Sequence, residues 1–170
     1  MKPAPFEYAR PQTVGEAVRL LAATPDAKVL AGGQTLGPML NLRLAQPALL
    51  VDIGRIPELA AVTEDRDAVT IGAMVTHAAI EDGRIPDPTH GFLPRIARGI
   101  AYRAVRTRGT IGGSLAHADP AADWLSALTA LGTEVVIAGP QSRRQLPLAA
   151  FVRGAMATEL GADEVLLGIR

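Results

Sequence analysis

The sequence contains no cysteine, which excludes disulfides, thiolate metal sites, a cysteine nucleophile and any iron–sulfur cluster held by this chain. Lysine is nearly missing as well. Lys2 and Lys28 stand alone, so the lysine of a P-loop has no counterpart, and a phosphate would have to be met by backbone amides, hydroxyls or arginine. Neither sign of charge is in excess, since 17 basic residues balance 17 acidic ones. A neutral chain lacks the electrostatic footprint of a nucleic-acid binder. The three histidines, His77, His90 and His117, are too scattered to make a metal site by spacing. No apolar run approaches the ~20 residues of a membrane helix. Met1-Lys2-Pro3-Ala4-Pro5 leads into mixed sequence without a signal-peptide core, so a cytoplasmic location with no membrane span is expected.

What remains is an ordinary globular composition, 48% hydrophobic over 170 residues, enough for one domain or two small lobes around a shared core. Thr13-Val14-Gly15-Glu16 has capping-box spacing, and Val14, Ala17, Val18, Leu21 and Ala22 then line one helical face. A strand over Lys28–Ala31 breaks at Gly32-Gly33, a helix is predicted over Thr35–Leu44, and a second strand over Leu49–Ile53. After Pro57 the pattern becomes that of a hairpin, Leu59–Thr63 and Ala68–Ile71, around the turn Glu64-Asp65-Arg66-Asp67. Thr76 caps a short helix through Glu81, a loop covers Asp82–Gly91, and Leu93–Ile100 reads as a helix. Asp119 as N-cap and Pro120 at the first helical position predict a helix to about Leu131. Strands follow over Glu134–Ile137 and Arg144–Leu146, and a last one begins near Asp163.

Two glycine pairs carry the functional reading. Ala31-Gly32-Gly33-Gln34-Thr35-Leu36 sits between a strand and a helix, and Thr110-Ile111-Gly112-Gly113-Ser114 also places hydroxyls beside amides. Glycine lets main-chain N–H groups approach an anion, and a helix N-terminus favours negative charge. Two such loops of bare amides would clamp a diphosphate from both sides. Neither matches the G-x-G-x-x-G turn, and a single Gly-Gly pair reads first as a tight turn or bulge, but two pairs, each followed by a hydroxyl residue and a predicted helix, weigh against that reading.

The remaining polar residues admit two readings each. His117 and Asp119 are either an acid–base pair or a local hydrogen bond and a helix cap. Asp123 either complements a helix dipole or meets a ligand. Arg103, Arg106 and Arg108 form either an attracting patch or a solvated basic face. His77 has no chemical partner in the sequence, and Trp124 belongs to a core or interface.

Taken together, Ala31-Gly32-Gly33-Gln34-Thr35, Leu42-Arg43-Leu44, Asp52-Ile53, Ile71-Gly72-Ala73, Thr76-His77, Val105-Arg106 and the long run from Arg108 to Asp123 resemble the medium, flavoprotein subunit of the xanthine dehydrogenase and carbon monoxide dehydrogenase family. The resemblance covers essentially the whole chain in order. It implies an α+β, two-lobed FAD-binding fold of the vanillyl-alcohol oxidase and MurB reductase type, with a first lobe over 1–54 and a second over 55–170. It also implies FAD as cofactor. Ala31, Gly32, Gly33, Gln34, Thr35 and Leu36 would lie along its diphosphate and ribityl chain, while Thr110, Gly112, Gly113 and Ser114 would close over the diphosphate and adenosine side. Asp123 would hydrogen-bond the cofactor, and His77, Val105 and Leu166 would lie near the flavin ring or its edge.

In such assemblies a large subunit with the molybdenum cofactor oxidises the substrate, and a small subunit with 2Fe–2S clusters passes electrons to FAD. The acceptor is then NAD, oxygen or a quinone. The absence of cysteine agrees with clusters on another chain. The family's subunits continue into a C-terminal domain that this chain is expected to lack. That departure motivates an alternative, a flavin-free assembly domain docking on the molybdenum and iron–sulfur subunits. A stand-alone oxidoreductase of the vanillyl-alcohol oxidase type would need a substrate domain for which no sequence remains.

Overall fold

Three short strands, β1 (Glu7–Ala9), β2 (Lys28–Leu30) and β3 (Leu49–Asp52), form a parallel sheet in the order β1-β3-β2 in the computed structural model, which describes residues 1–170. Parallel neighbours need crossovers, and helices α1 (Val14–Ala23) and α2 (Leu36–Asn41) supply them. The α1 cap forms as its spacing predicts: the Thr13 hydroxyl accepts from the Glu16 amide at 3.2 Å. The Glu16 carboxylate reaches one residue further back than in a standard box, to the Gln12 amide at 2.8 Å. Strand β1 left no sequence signal, because its three residues are exposed or only half-buried and carry no alternation.

The second sheet has five antiparallel strands: β4 (Val62–Glu64), β5 (Val69–Gly72), β6 (Glu134–Ala138), β7 (Arg143–Pro147) and β10 (Val165–Ile169), in the order β4-β5-β10-β6-β7. The predicted hairpin is real but shorter at its start. Pro57 occupies the first turn of a small helix, α3 (Pro57–Ala60), so Leu59 is helical and fully buried, not a strand residue. A further two-stranded ribbon joins β8 (Val152–Gly154) to β9 (Ala157–Thr158). Between β5 and β6 lie α4 (His77–Glu81), α5 (Phe92–Gly99), α6 (Arg103–Arg106), α7 (Ile111–His117) and α8 (Asp123–Ala130), and α9 (Leu148–Phe151) follows β7.

Two departures from the sequence reading bear on the site. The segment from Ile111 to His117 is a helix, not an open glycine loop. Helix α8 begins at Asp123, four positions after Asp119, with Ala122 as its N-cap. Asp119 instead closes a local turn, its carboxylate accepting from the Ala121 amide at 2.9 Å.

Strand β10 sits between β5 and β6 and is buried along its length. Leu166 and Ile169 join the larger core cluster with Trp124, Leu128, Ile111 and Phe151. Val165 and Leu167 join a second cluster with Val14, Ala17, Val18 and Val51 of the first sheet and its helix. Both sheets therefore share apolar contacts through one strand. No helix is long and apolar enough to cross a membrane.

Candidate functional site

The first glycine segment leaves β2 and enters α2. None of the amides of Gly32, Gly33, Gln34, Thr35 and Leu36 donates to another group of the chain. Gly33 supplies the left-handed turn, at φ 70°. The Gln34 side chain folds back, donating to the Gly32 carbonyl at 3.1 Å, and the exposed Thr35 hydroxyl caps nothing. These residues are half-buried to exposed. Main-chain donors left open in this way, several of them at the start of a helix, are met by water or by a ligand. Consecutive amides ahead of a helix form a concave donor surface suited to an anion.

The second glycine segment is built differently. Thr110, buried, is the N-cap of α7, and its hydroxyl oxygen accepts from the Gly113 amide at 3.1 Å. The Ile111 amide donates to Val75 O at 3.0 Å, that of Gly112 to Ala73 O at 3.0 Å and that of Ser114 to Thr110 O at 3.1 Å. The expectation of bare nitrogens on both sides is thus corrected: only the first segment offers them. Gly112 is needed for packing, since a Cβ there would lie 2.4 Å from the Ala73 Cβ. The Ser114 side chain has no partner within the chain.

The two segments nevertheless meet. A Cβ on Gly32 would lie 2.0 Å from the Arg108 carbonyl oxygen and 2.9 Å from Gly109 Cα, and one on Gly113 would lie 3.8 Å from the Ala31 Cβ. Only residues without side chains allow the main chains to approach so closely. Arg108 is exposed and its guanidinium has no carboxylate partner. A free cation therefore hangs from the junction of the two segments.

Behind the junction lies His77. Its amide donates to the Gly109 carbonyl at 3.0 Å, and its ring packs so tightly on Gly109 that a Cβ there would be 2.9 Å from Nε2. His77 does have a chemical partner, 47 residues away: the buried Trp124 donates from Nε1 to His77 Nδ1 at 3.1 Å. Burial, and then the charge of Arg106, push the His77 imidazole down to about 4, so the ring is neutral at pH 7. Val105 is half-buried and shapes the same turn, its carbonyl accepting from the Arg108 and Gly109 amides at 3.1 and 2.7 Å. Leu166 is buried in β10 beneath α7.

Other residues of interest lie apart. Asp123 is exposed and lines a groove of about 390 Å³ along α8 with Phe92, Ile96, Pro120 and Ser126, a groove that neither glycine segment lines. His117 makes no side-chain hydrogen bond, so no acid–base pair with Asp119 is assembled. Arg106 is not on a solvated face. It is largely buried, pairs with Glu81 at 2.7 Å and donates to the carbonyls of Ile100 and Ala101. Arg103 chelates Asp82 and also bonds Glu81, and the hydrogen bond from Arg106, ahead of that from Arg103, holds the Glu81 carboxyl below its usual range. Contacts such as Trp124 to His77 and Gly109 to His77 carry no local sequence signal.

Residues 4–170 match the model of the FAD binding domain in molybdopterin dehydrogenase. The carbon monoxide dehydrogenase medium chain of Hydrogenophaga pseudoflava is 43% identical over 100% of this chain and 60% of its own length. The caffeine dehydrogenase subunit beta of Pseudomonas sp. (strain CBB1) is 38% identical over 100% of this chain and 58% of its own. Among solved structures, the Hydrogenophaga pseudoflava carbon monoxide dehydrogenase superposes with a TM-score of 0.93 at 42% identity, over 99% of this chain and 59% of that one. Quinoline 2-oxidoreductase from Pseudomonas putida 86 gives the same TM-score, 0.93, at 38% identity. The chain thus spans about 60% of the length of the curated relatives it matches. With its glycine segments joined and its α+β architecture shared with these structures, the chain belongs to the FAD-binding domain family of the molybdopterin dehydrogenases, that of the carbon monoxide and xanthine dehydrogenase FAD subunits.

Proposed function

We propose that this chain is the FAD-holding, electron-transferring portion of a multi-subunit molybdenum hydroxylase. It would stand between 2Fe–2S clusters on a small partner subunit and an external acceptor such as NAD, oxygen or a quinone, while a large molybdenum-cofactor subunit oxidises the organic substrate. The observation that carries the reading is the run of unpaired amides from Gly32 to Leu36, set against the Arg108–Gly109 turn. That donor surface fits a diphosphate, whose charge would be met by the amides, the start of α2 and the free guanidinium of Arg108.

In this assignment Ala31, Gly32, Gly33, Gln34, Thr35 and Leu36 bind the cofactor's diphosphate side. Thr110, Gly112, Gly113 and Ser114 form the opposing wall, with Gly112 and Gly113 setting the approach and Ser114 offering a free hydroxyl. His77 and Val105 shape the turn that meets the first segment, Leu166 supports that wall from beneath, and Asp123 offers an exposed carboxylate at the start of α8. When bound, FAD supplies a centre that accepts electrons singly and releases them in pairs. The same reading divides the chain into the two lobes of the vanillyl-alcohol oxidase and MurB reductase arrangement, 1–54 and 55–170. It is supported by one sheet lying before residue 54 and the other after it.

Refolding the purified chain with excess FAD tests the proposal. Flavin absorbance should co-elute with the protein on gel filtration. A folded sample that elutes colourless would overturn the assignment in favour of a flavin-free assembly domain, which co-expression with the cluster and molybdenum subunits would then have to show as a complex.

A further inference from the structure

The His77–Trp124 pair is buried, polar and unexplained by packing alone. Both residues are nearly inaccessible, at 5% and 0% exposure, yet they meet through a directed hydrogen bond instead of apolar contact. The ring centroids are 6.0 Å apart and the planes tilted by 38°, so the rings do not stack face to face. An indole N–H can only donate. It therefore requires a lone pair on His77 Nδ1, which leaves the proton of the neutral ring on Nε2.

That second nitrogen is informative. No group of the chain accepts from Nε2, and no buried side-chain nitrogen or oxygen lacks a partner, so Nε2 lies on an accessible edge of the ring. It lies against Gly109, the residue whose Cα would contact a Cβ on Gly32. One nitrogen is thus fixed from the core side, and the other lies with an unused N–H against Gly109, the residue that Gly32 approaches. A residue serving only to fill the core would leave no donor there.

We propose that His77 donates its Nε2 hydrogen to an acceptor atom of bound FAD, and that Trp124 is a positioning residue that fixes the tautomer making this donation possible. The inference rests on the flavin reading above. It predicts that Trp124 acts on the cofactor only through His77.

Nitrogen NMR of histidine-labelled protein reports the tautomer directly. At pH 7 the wild-type ring should carry its proton on Nε2 with or without FAD, and FAD should shift the Nε2 resonance far more than that of Nδ1. Trp124→Phe should let both tautomers populate and weaken FAD binding about twofold, by the inverse of the Nε2–H fraction that remains, whereas His77→Phe, which removes the donor, should weaken it about tenfold, the size of one neutral hydrogen bond. In a His77→Phe background the same Trp124→Phe change should weaken binding no further, whereas a purely structural tryptophan would add its loss in both backgrounds. Wild-type protein that binds FAD with the proton on Nδ1, with Nε2 unmoved, or with additive losses overturns the inference while the flavin reading stands. Wild-type protein that is folded yet takes up no FAD overturns both.

Discussion

Replacing Gly32 by alanine tests the junction most directly. The new methyl carbon would lie 2.0 Å from the Arg108 carbonyl oxygen, 2.7 Å from its carbon and 2.9 Å from Gly109 Cα, all main-chain atoms with no rotamer to escape into. An ordinary carbon–oxygen contact is longer by more than 1 Å (about 3.3–3.6 Å even for the close Cα–H···O type), so the two segments must part by about that much. Overpacking of this kind costs about 1–3 kcal/mol. With a urea slope of about 2 kcal/mol/M for a domain of this size, the unfolding midpoint should fall by about 1 M. Gly37→Ala is the matched control. It lies in the following helix with nothing within 4 Å of its notional Cβ, so the same methyl should stabilise by about 0.5–1 kcal/mol through helix propensity. Urea unfolding of the two variants side by side, with FAD titration of each, reads both effects. If Gly32→Ala unfolds at the wild-type midpoint and takes up FAD with wild-type affinity, the close approach of the two segments is wrong.

Three further outcomes follow from the same geometry. His77 is neutral in the fold, with its imidazole pushed down to about 4, while the unfolded chain protonates near 6.5. Its contribution is therefore complete above about pH 6.5 and is lost as pH falls towards 4, amounting to roughly 3 kcal/mol; unfolding free energies measured between pH 7 and 4 should fall less steeply for His77→Asn than for wild type. Thr110→Val removes the oxygen that accepts from the Gly113 amide and should cost about 1 kcal/mol in urea unfolding. Arg106→Met breaks the bond to Glu81 and strands two carbonyls in the turn around Ala101, whose φ is 43°. A lower melting temperature and faster proteolysis near Tyr102 should result, and equal melting would refute the claim that Arg106 holds that turn.

Local chemistry made much of this legible in sequence. The Thr13 and Thr76 caps and the β6–β7 hairpin are fixed by near neighbours, and the strands at Val29 and Val51 show in their own short apolar runs although they pair across 22 positions. Elsewhere contacts between residues far apart in the chain decide the local structure. Gly112-Gly113-Ser114 read as an open loop because glycine disfavours helix, but Thr110 caps that segment and Ala73 leaves room only for a bare backbone. Asp119-Pro120 had every mark of a helix start, and the turn it makes to Ala121 absorbed the signal. Arg106 looked solvated because Glu81, 25 positions earlier, carries no sign of pairing with it. For the site, the two glycine pairs were visible as a pattern, whereas the contact of Gly32 with Arg108, and of His77 with Trp124, exists only once the chain has folded.

Strand β10 has a consequence for synthesis. During translation the hairpins β4–β5 and β6–β7 emerge first, each closed by local turns, yet the inner edges of β5 and β6 stay unpaired until residues 165–169 leave the ribosome and zip between them. The nascent chain spends that interval with two open pairing templates and an apolar core that still lacks Leu166 and Ile169.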